Sequence, residues 1–232
     1  MYEAVSIDPD ADEALARVCE TAATYGFDGV VIRNGATGSI RERVSTRDDD
    51  IDVVSGVEIR AESAEQASGA VGNHRPDYTI LMVAGGTPSM NRFAVESEKV
   101  DVLTRPMTDD GDVNHVLAKA AADNGVRIEF DLGPVLRTSG GRRVRALQDM
   151  RKLYEIVSYY DAPYVVSGHP TTELELRAPR ELAALGAEIG LPASWIEDGL
   201  AEWGRLATRN RHVQSESFIE PGVERGRYET DR

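Results

Sequence analysis

The chain has 232 residues, 41% of them hydrophobic, and a formal net charge of −14 from 26 Lys and Arg against 40 Asp and Glu. That length can bury one sizeable core, and no apolar run is long enough to span a membrane. A single cysteine, Cys19, excludes a disulfide framework and a thiolate metal site.

The first ten residues, MYEAVSIDPD, lack a basic segment and a long apolar stretch, so a cytoplasmic protein without a signal peptide is expected. Only three of the 26 basic residues are lysine: Lys99, Lys119 and Lys152. Abundant carboxylates with almost no lysine suit concentrated salt, where a Debye length of about 3 Å makes self-repulsion cheap. Codon bias towards Arg, Ala, Gly and Val would give part of the same composition.

In chain order, short apolar runs predict strands at EAVSID (3–8), GVVIRN (29–34), VVSGVEI (53–59), YTILMVA (78–84), VDVLTRP (100–106), VRIEFDL (126–132) and YVVSG (164–168). Most are apolar at consecutive positions, as strands buried on both faces are. Residues 35–50 are polar and read as a loop. Asp112 is placed to cap a helix bearing Val113, Val116, Leu117, Ala120 and Ala121, which Asn124-Gly125 ends. RRVRALQDMRKLYEIV predicts a helix with Leu147, Met150, Tyr154 and Val157 buried and Arg145, Gln148 and Lys152 opposite. Pro179 opens a helix with Leu182, Leu185 and Ile189 on one face, stopped by Gly190. Ser194 and Glu197 have capping-box spacing before GLAEWGRLA. Residues 1–212 are expected to form one domain and 213–232 a disordered polar tail.

Strands alternating with helices imply a parallel sheet. No G-x-G-x-x-G follows the first strand, which argues against a dinucleotide-binding open sheet. The expected fold is therefore an α/β TIM-like (β/α) barrel, complete or distorted by a missing strand. In such a barrel the chemistry lies at the C-terminal strand ends. Those ends carry Asp8, Arg33, Asn34, Glu58, Arg60, Arg105, Asp131 and His169, without the His-x-His pair typical of barrel metallohydrolases. The four histidines are scattered, and only His169 is well placed. No serine-nucleophile motif is present, and Cys19 sits among Leu15, Val18 and Ala22 on an apolar helix face. Neither a metal nor a cofactor is expected.

What the strand ends do supply is arginine: Arg92 after the fourth strand, Arg105 at the end of the fifth, and Arg177 and Arg180 about Pro179. Guanidinium groups hold phosphates bidentately. Residues 137–152, RTSGGRRVRALQDMRK, add six basic side chains against Asp149 alone. The +5 of this stretch leaves −19 for the rest of a chain at −14. A solvated helix face is the simpler reading of any one charge run, but an excess this local suggests an anionic partner.

Four stretches carry a family resemblance: SGVEIRA (55–61), NRFAVESEKVDVLTRP (91–106), residues 125–168 from GVRIEFDLGP to YVVSG, and LRAPRELAALGAEIGL (176–191). In this order the chain resembles the ribonuclease P protein component 3 family of archaea. The resemblance implies a barrel related to PHP-type phosphoesterases that has lost their metal ligands. It also implies a subunit of the ribonuclease P endoribonuclease, in which an RNA subunit removes the 5′ leader of precursor tRNA. The implied partners are ribonuclease P RNA, precursor tRNA and other protein subunits, component 2 above all, with no membrane. The candidate RNA contacts are then Arg92, Arg105, Arg142, Arg143, Arg145, Lys152, Arg177 and Arg180, and no residue is expected to be catalytic. The competing reading is a metal-dependent phosphoesterase of the same barrel fold. One departure stands out: family members from ordinary salt are basic, and this chain is acidic.

Overall fold

Each of the seven predicted strands forms. In a computed structural model that describes residues 1–8, 12–34 and 51–215, with the backbone of Phe218–Glu220 and Val223–Glu224, they are β1 (Tyr2–Val5), β2 (Gly29–Ile32), β3 (Asp52–Ile59), β4 (Ile80–Ala84), β5 (Val102–Thr104), β6 (Arg127–Asp131) and β7 (Tyr164–Ser167). They lie side by side in chain order, every neighbouring pair parallel. The loop expected over residues 35–50 falls outside the described residues.

Eight helices accompany them among the described residues: α1 (Asp12–Thr24), α2 (Ala64–His74), α3 (Pro88–Glu96), α4 (His115–Asn124), α5 (Gly133–Arg137), α6 (Gly140–Tyr159), α7 (Pro179–Ile189) and α8 (Ala193–Val213). Alternate strand positions separate two cores. Val5, Val30, Ile32, Leu81 and Val83 pack outward under the helices, while Ala4, Val31, Val54, Met82, Val102 and Val165 fill the interior. This two-sided burial explains the consecutive apolar positions in the sequence. Gly125 (φ 65°) and Gly190 (φ 95°) end α4 and α7 as expected, each in the left-handed conformation glycine adopts freely. Two expected caps do not form. Asn114, not Asp112, accepts the N–H groups of Val116 and Leu117, and α8 starts after Pro192 with no bond from Ser194.

The sheet curls but does not zip shut, since β1 and β7 are its two edges. The last helix fills the gap, inserting Trp203, Leu206 and Ala207 into the interior cluster. The Trp203 Nε1–H donates to the Val166 carbonyl at 2.9 Å, and Gly199 brings α8 so close to Val166 that a β-carbon would collide. Glu3 supplies the other stitch. Its carboxylate accepts from Ala4 N (2.8 Å), Ser167 Oγ (2.6 Å) and Gly168 N (3.0 Å), taking edge groups an eighth strand would have paired. Burial pushes this carboxyl up to about 7, and those hydrogen bonds only partly offset it.

At the N-terminal end of the barrel, ion pairs fasten α8 to the strands. Arg211 holds Asp52 at 2.7 Å, Arg127 holds Glu202 at 2.8 Å, and Asn210 donates to Asp101, which also pairs with Arg75. That end is tied for stability and leaves the opposite mouth for function.

Candidate nucleic-acid interface

Carried one step past the apolar layer, the inward positions become polar. Arg33 follows β2, with 1% of its surface exposed. Its guanidinium donates to both Glu129 oxygens, at 2.5 and 3.1 Å, and to Glu58 at 3.2 Å. Thr104 and Arg60 also donate to Glu58, at 2.6 and 2.7 Å. Burial alone would raise the Glu58 carboxyl, but Arg33, Thr104 and Arg60 outweigh it and hold it down at about 2. Buried charge is tolerated only where it is paired in this way.

Beside this cluster Ser6, His169 and Asp131 form a chain from three strand ends. Ser6 Oγ lies 3.0 Å from His169 Nε2, and His169 Nδ1 lies 3.0 Å from Asp131 Oδ2. The Asp131 carboxyl is raised by burial and more strongly lowered by His169 and Arg33, for a net depression. His169 has φ 50°, a strained value for a residue with a side chain. Its backbone is held on both sides, by Ser167 Oγ at its N–H and by Arg137 at its carbonyl. The order resembles a nucleophile, a base and its orienter. However, the cavity at the mouth is lined by Asp131 and not by Ser6 or His169, and Ser6 N is engaged with the Pro170 carbonyl. The chain reads as a polar clasp across the β6, β7 and β1 ends.

The eight candidate arginine and lysine contacts separate into two groups. Arg92 pairs with Glu96 at 2.7 Å, Lys152 with Asp112 at 2.6 Å, and Arg177 donates to the Leu174 and Leu176 carbonyls. Arg105, at φ 52° directly after β5, leans towards Glu58 at 3.5 Å. Arg142, Arg143 and Arg180 are exposed and make no hydrogen bond or ion pair among the described residues. Arg145 is exposed too, near enough to Asp149 to lower its carboxyl, though burial leaves that group raised overall. Within the 137–152 stretch, Arg137 and Arg151 are structural, gripping the Gly168 and Ile189 carbonyls. The core face of α6 is Met150, Leu153 and Val157, so Leu153 joins the buried face that the sequence spacing predicts without it. The expected opposite face is divided: Lys152 is tied down, and Arg145 lines the mouth cavity with Arg105 and Arg142.

The start of α6 is electrostatically incomplete. Ser139 makes no side-chain cap bond, the first turn holds no acid, and Arg142, Arg143 and Arg145 crowd a helix end that is already positive. An anion placed there would satisfy the free N–H groups and three guanidiniums together.

A family model described as RNase P subunit p30 matches residues 1–215. The chain belongs to the RNase P subunit p30 family. Proteins named ribonuclease P protein component 3 from two halophilic archaea are close to it. That of Halorubrum lacusprofundi is 55% identical and covers 100% of both chains, and that of Haloarcula marismortui is 52% identical over 96% of each. A chain of a cryo-EM structure of archaeal ribonuclease P with mature tRNA shares the fold of this p30-family protein, with a TM-score of 0.82 at 23% identity and 100% coverage of both. A histidinol phosphate phosphatase from Lactococcus lactis, complexed with zinc, L-histidinol and phosphate, shares it more distantly. Its TM-score is 0.52 at 10% identity, over 82% of this chain and 94% of that one.

The residues at the p30-family mouth do not fit a metal such as that phosphatase holds. Among the described residues no three His, Cys, Asp or Glu side chains converge on one point. Glu58 and Glu129 already face a cation, the buried guanidinium of Arg33.

Proposed function

We propose that this ribonuclease P subunit contributes an RNA-docking face, and that the RNA subunit supplies catalysis. The ribonucleoprotein would remove the 5′ leader of precursor tRNA in the cytoplasm, with the chain held beside other protein subunits, component 2 among them. The observation that carries this reading is the start of α6: three arginines that form no ion pair among the described residues, on an uncapped, positive helix end in a chain otherwise strongly acidic. Phosphate is the anion an RNA partner presents at regular spacing, and backbone contacts position a protein on RNA without reading its sequence. Arg180, in the first turn of α7 and so, like the start of α6, at the C-terminal ends of the strands, extends the face. The strand-end carboxylates Glu58, Glu129 and Asp131 support the non-catalytic part of the reading, because Arg33 and His169 occupy them.

The test is a triple variant, Arg142→Ala, Arg143→Ala and Arg145→Ala, melted and assayed in reconstituted precursor tRNA processing across a salt series. Its Tm should stay within about 2 °C of the parent, as exposed substitutions leave stability nearly unchanged. Its RNA affinity should fall, with the salt slope reduced by about 0.7–0.9 for each phosphate that is no longer neutralised. A variant that melts normally and processes fully at every salt concentration would make the face a solvated helix end.

A further inference from the structure

The cavity at the barrel mouth, about 270 Å³, lies between α6, the 105–109 loop after β5, and the β6–α5 junction. Its α6 wall is one helical stripe, and the chemistry changes along it. Arg142 and Arg145 stand at the outer end. Ala146 and Met150 continue inward and, with Met107 and Pro134 opposite, make an apolar slot. Asp149 reaches the slot about one turn, roughly 6 Å, beyond Arg145. Of the four carboxylates on the wall, Glu129 is taken by Arg33 and Asp131 by His169. Asp109 and Asp149 make no hydrogen bond among the described residues.

We propose that this cavity receives one unpaired guanine nucleotide of RNA, its phosphate at Arg142 and Arg145, its ring against Met107, Pro134 and Met150, and its Watson–Crick edge on Asp149. The proposal rests on the RNA-docking reading above and adds which nucleotide the face would take. The slot has room for one heterocycle and not for a duplex. Single-stranded bases are recognised this way, splayed out against a wall and hydrogen-bonded on the edge. A bare phosphate would account for the arginines but not for the apolar slot, and Asp149 would repel it. An ionised carboxylate accepts and donates nothing. Guanine alone offers two adjacent N–H donors, N1–H and the N2 amino group. Adenine and cytosine set an acceptor beside their donor, and uracil flanks its single donor with two carbonyls.

The five methionines allow a direct test on the full chain, labelled with carbon-13 at the methionine methyls. Met107 and Met150 line the cavity, and Met1, Met82 and Met90 do not, so three resonances serve as internal references. Titration with 5′-GMP should shift the Met107 and Met150 methyls saturably. 5′-AMP and 5′-CMP should bind about tenfold or more weakly, the discrimination a bidentate base contact gives. Inorganic phosphate should leave both methyls nearly unmoved. Asp149→Asn should abolish the preference for guanine while retaining nucleotide binding through the arginines. Equal affinity for the three nucleotides, shifts reproduced by phosphate alone, or no saturable shift at Met107 and Met150 would each overturn the proposal. Such a failure is separable from failure of the docking face: the triple arginine variant would still lose RNA affinity in the processing assay even if no nucleotide shifted Met107 or Met150.

Discussion

Arg33 and Arg142 show how differently one residue type is used at the same barrel mouth. Arg33 is fully buried and spent on Glu58 and Glu129, whereas Arg142 is exposed with no partner among the described residues. The sequence places Arg33 at a strand end and Arg142 at a helix start but cannot assign the roles, because the Arg33–Glu129 pair joins residues 96 positions apart and exists only once the sheet has curled. Arg180 carries a similar lesson. Its acidic neighbours, Glu173 and Glu181, suggest an ion pair, yet adjacent helix positions point apart. Glu181 instead accepts from Ala178 N, and Glu173 pairs with Arg17. The clasp of Ser6, His169 and Asp131 is the residue-scale feature most open to a catalytic reading, and a substitution decides it. Ser6→Ala should cost about 1 kcal/mol, the usual worth of one hydrogen bond, and leave reconstituted processing unchanged. A loss of activity of several hundredfold without loss of folding would assign Ser6 to the chemistry.

At the scale of elements, the seven strands were legible because parallel strands buried on both faces leave a run of Val, Ile and Leu that little else produces. The glycine stops of α4 and α7 were legible for a similarly local reason, the φ each requires. What was not legible is the closure. Nothing in the local pattern of 193–213 says that this helix would replace a strand, since Trp203, Leu206 and Ala207 read only as one apolar face. Glu3 was hidden more completely, as an acid inside a strand whose role depends on the open seam. Its raised pKa gives a prediction with a definite sign. A carboxyl near 7 when folded and near 4.3 when unfolded stabilises fully below the lower value, and that contribution is lost as pH rises towards the upper one. The difference amounts to about 3 kcal/mol. Glu3→Gln cannot titrate, so its unfolding free energy relative to the parent should climb by about that much between pH 4 and 7. A constant difference across that range, measured by denaturant titration in high salt, would remove Glu3 from the pH dependence. Glu58 acts in the other direction and in another window: held at about 2, it stabilises fully above the unfolded value of about 4.3 and loses that contribution progressively as pH falls from there to about 2.

For the whole molecule the governing quantity is a net charge of −14 with a basic island on one helix start. A surface so acidic repels RNA at low salt, and molar salt screens both that repulsion and the attraction of the arginines. The lone subunit should therefore bind ribonuclease P RNA weakly in molar salt, and tight assembly should require its protein partner; nanomolar binding by the subunit alone in that salt would contradict this. The central claim is that RNA lies against the start of α6, and tethered cleavage tests it most directly. The single native cysteine, Cys19, is buried, so Arg143→Cys offers one exposed thiol for an iron chelate, and Glu98→Cys places the same chelate in the turn that leads into β5, at the barrel's opposite end. In the reconstituted ribonucleoprotein, radicals from position 143 should cut the RNA at a few discrete nucleotides while those from position 98 cut little. No cutting from 143, or equal cutting from both positions, would contradict the account.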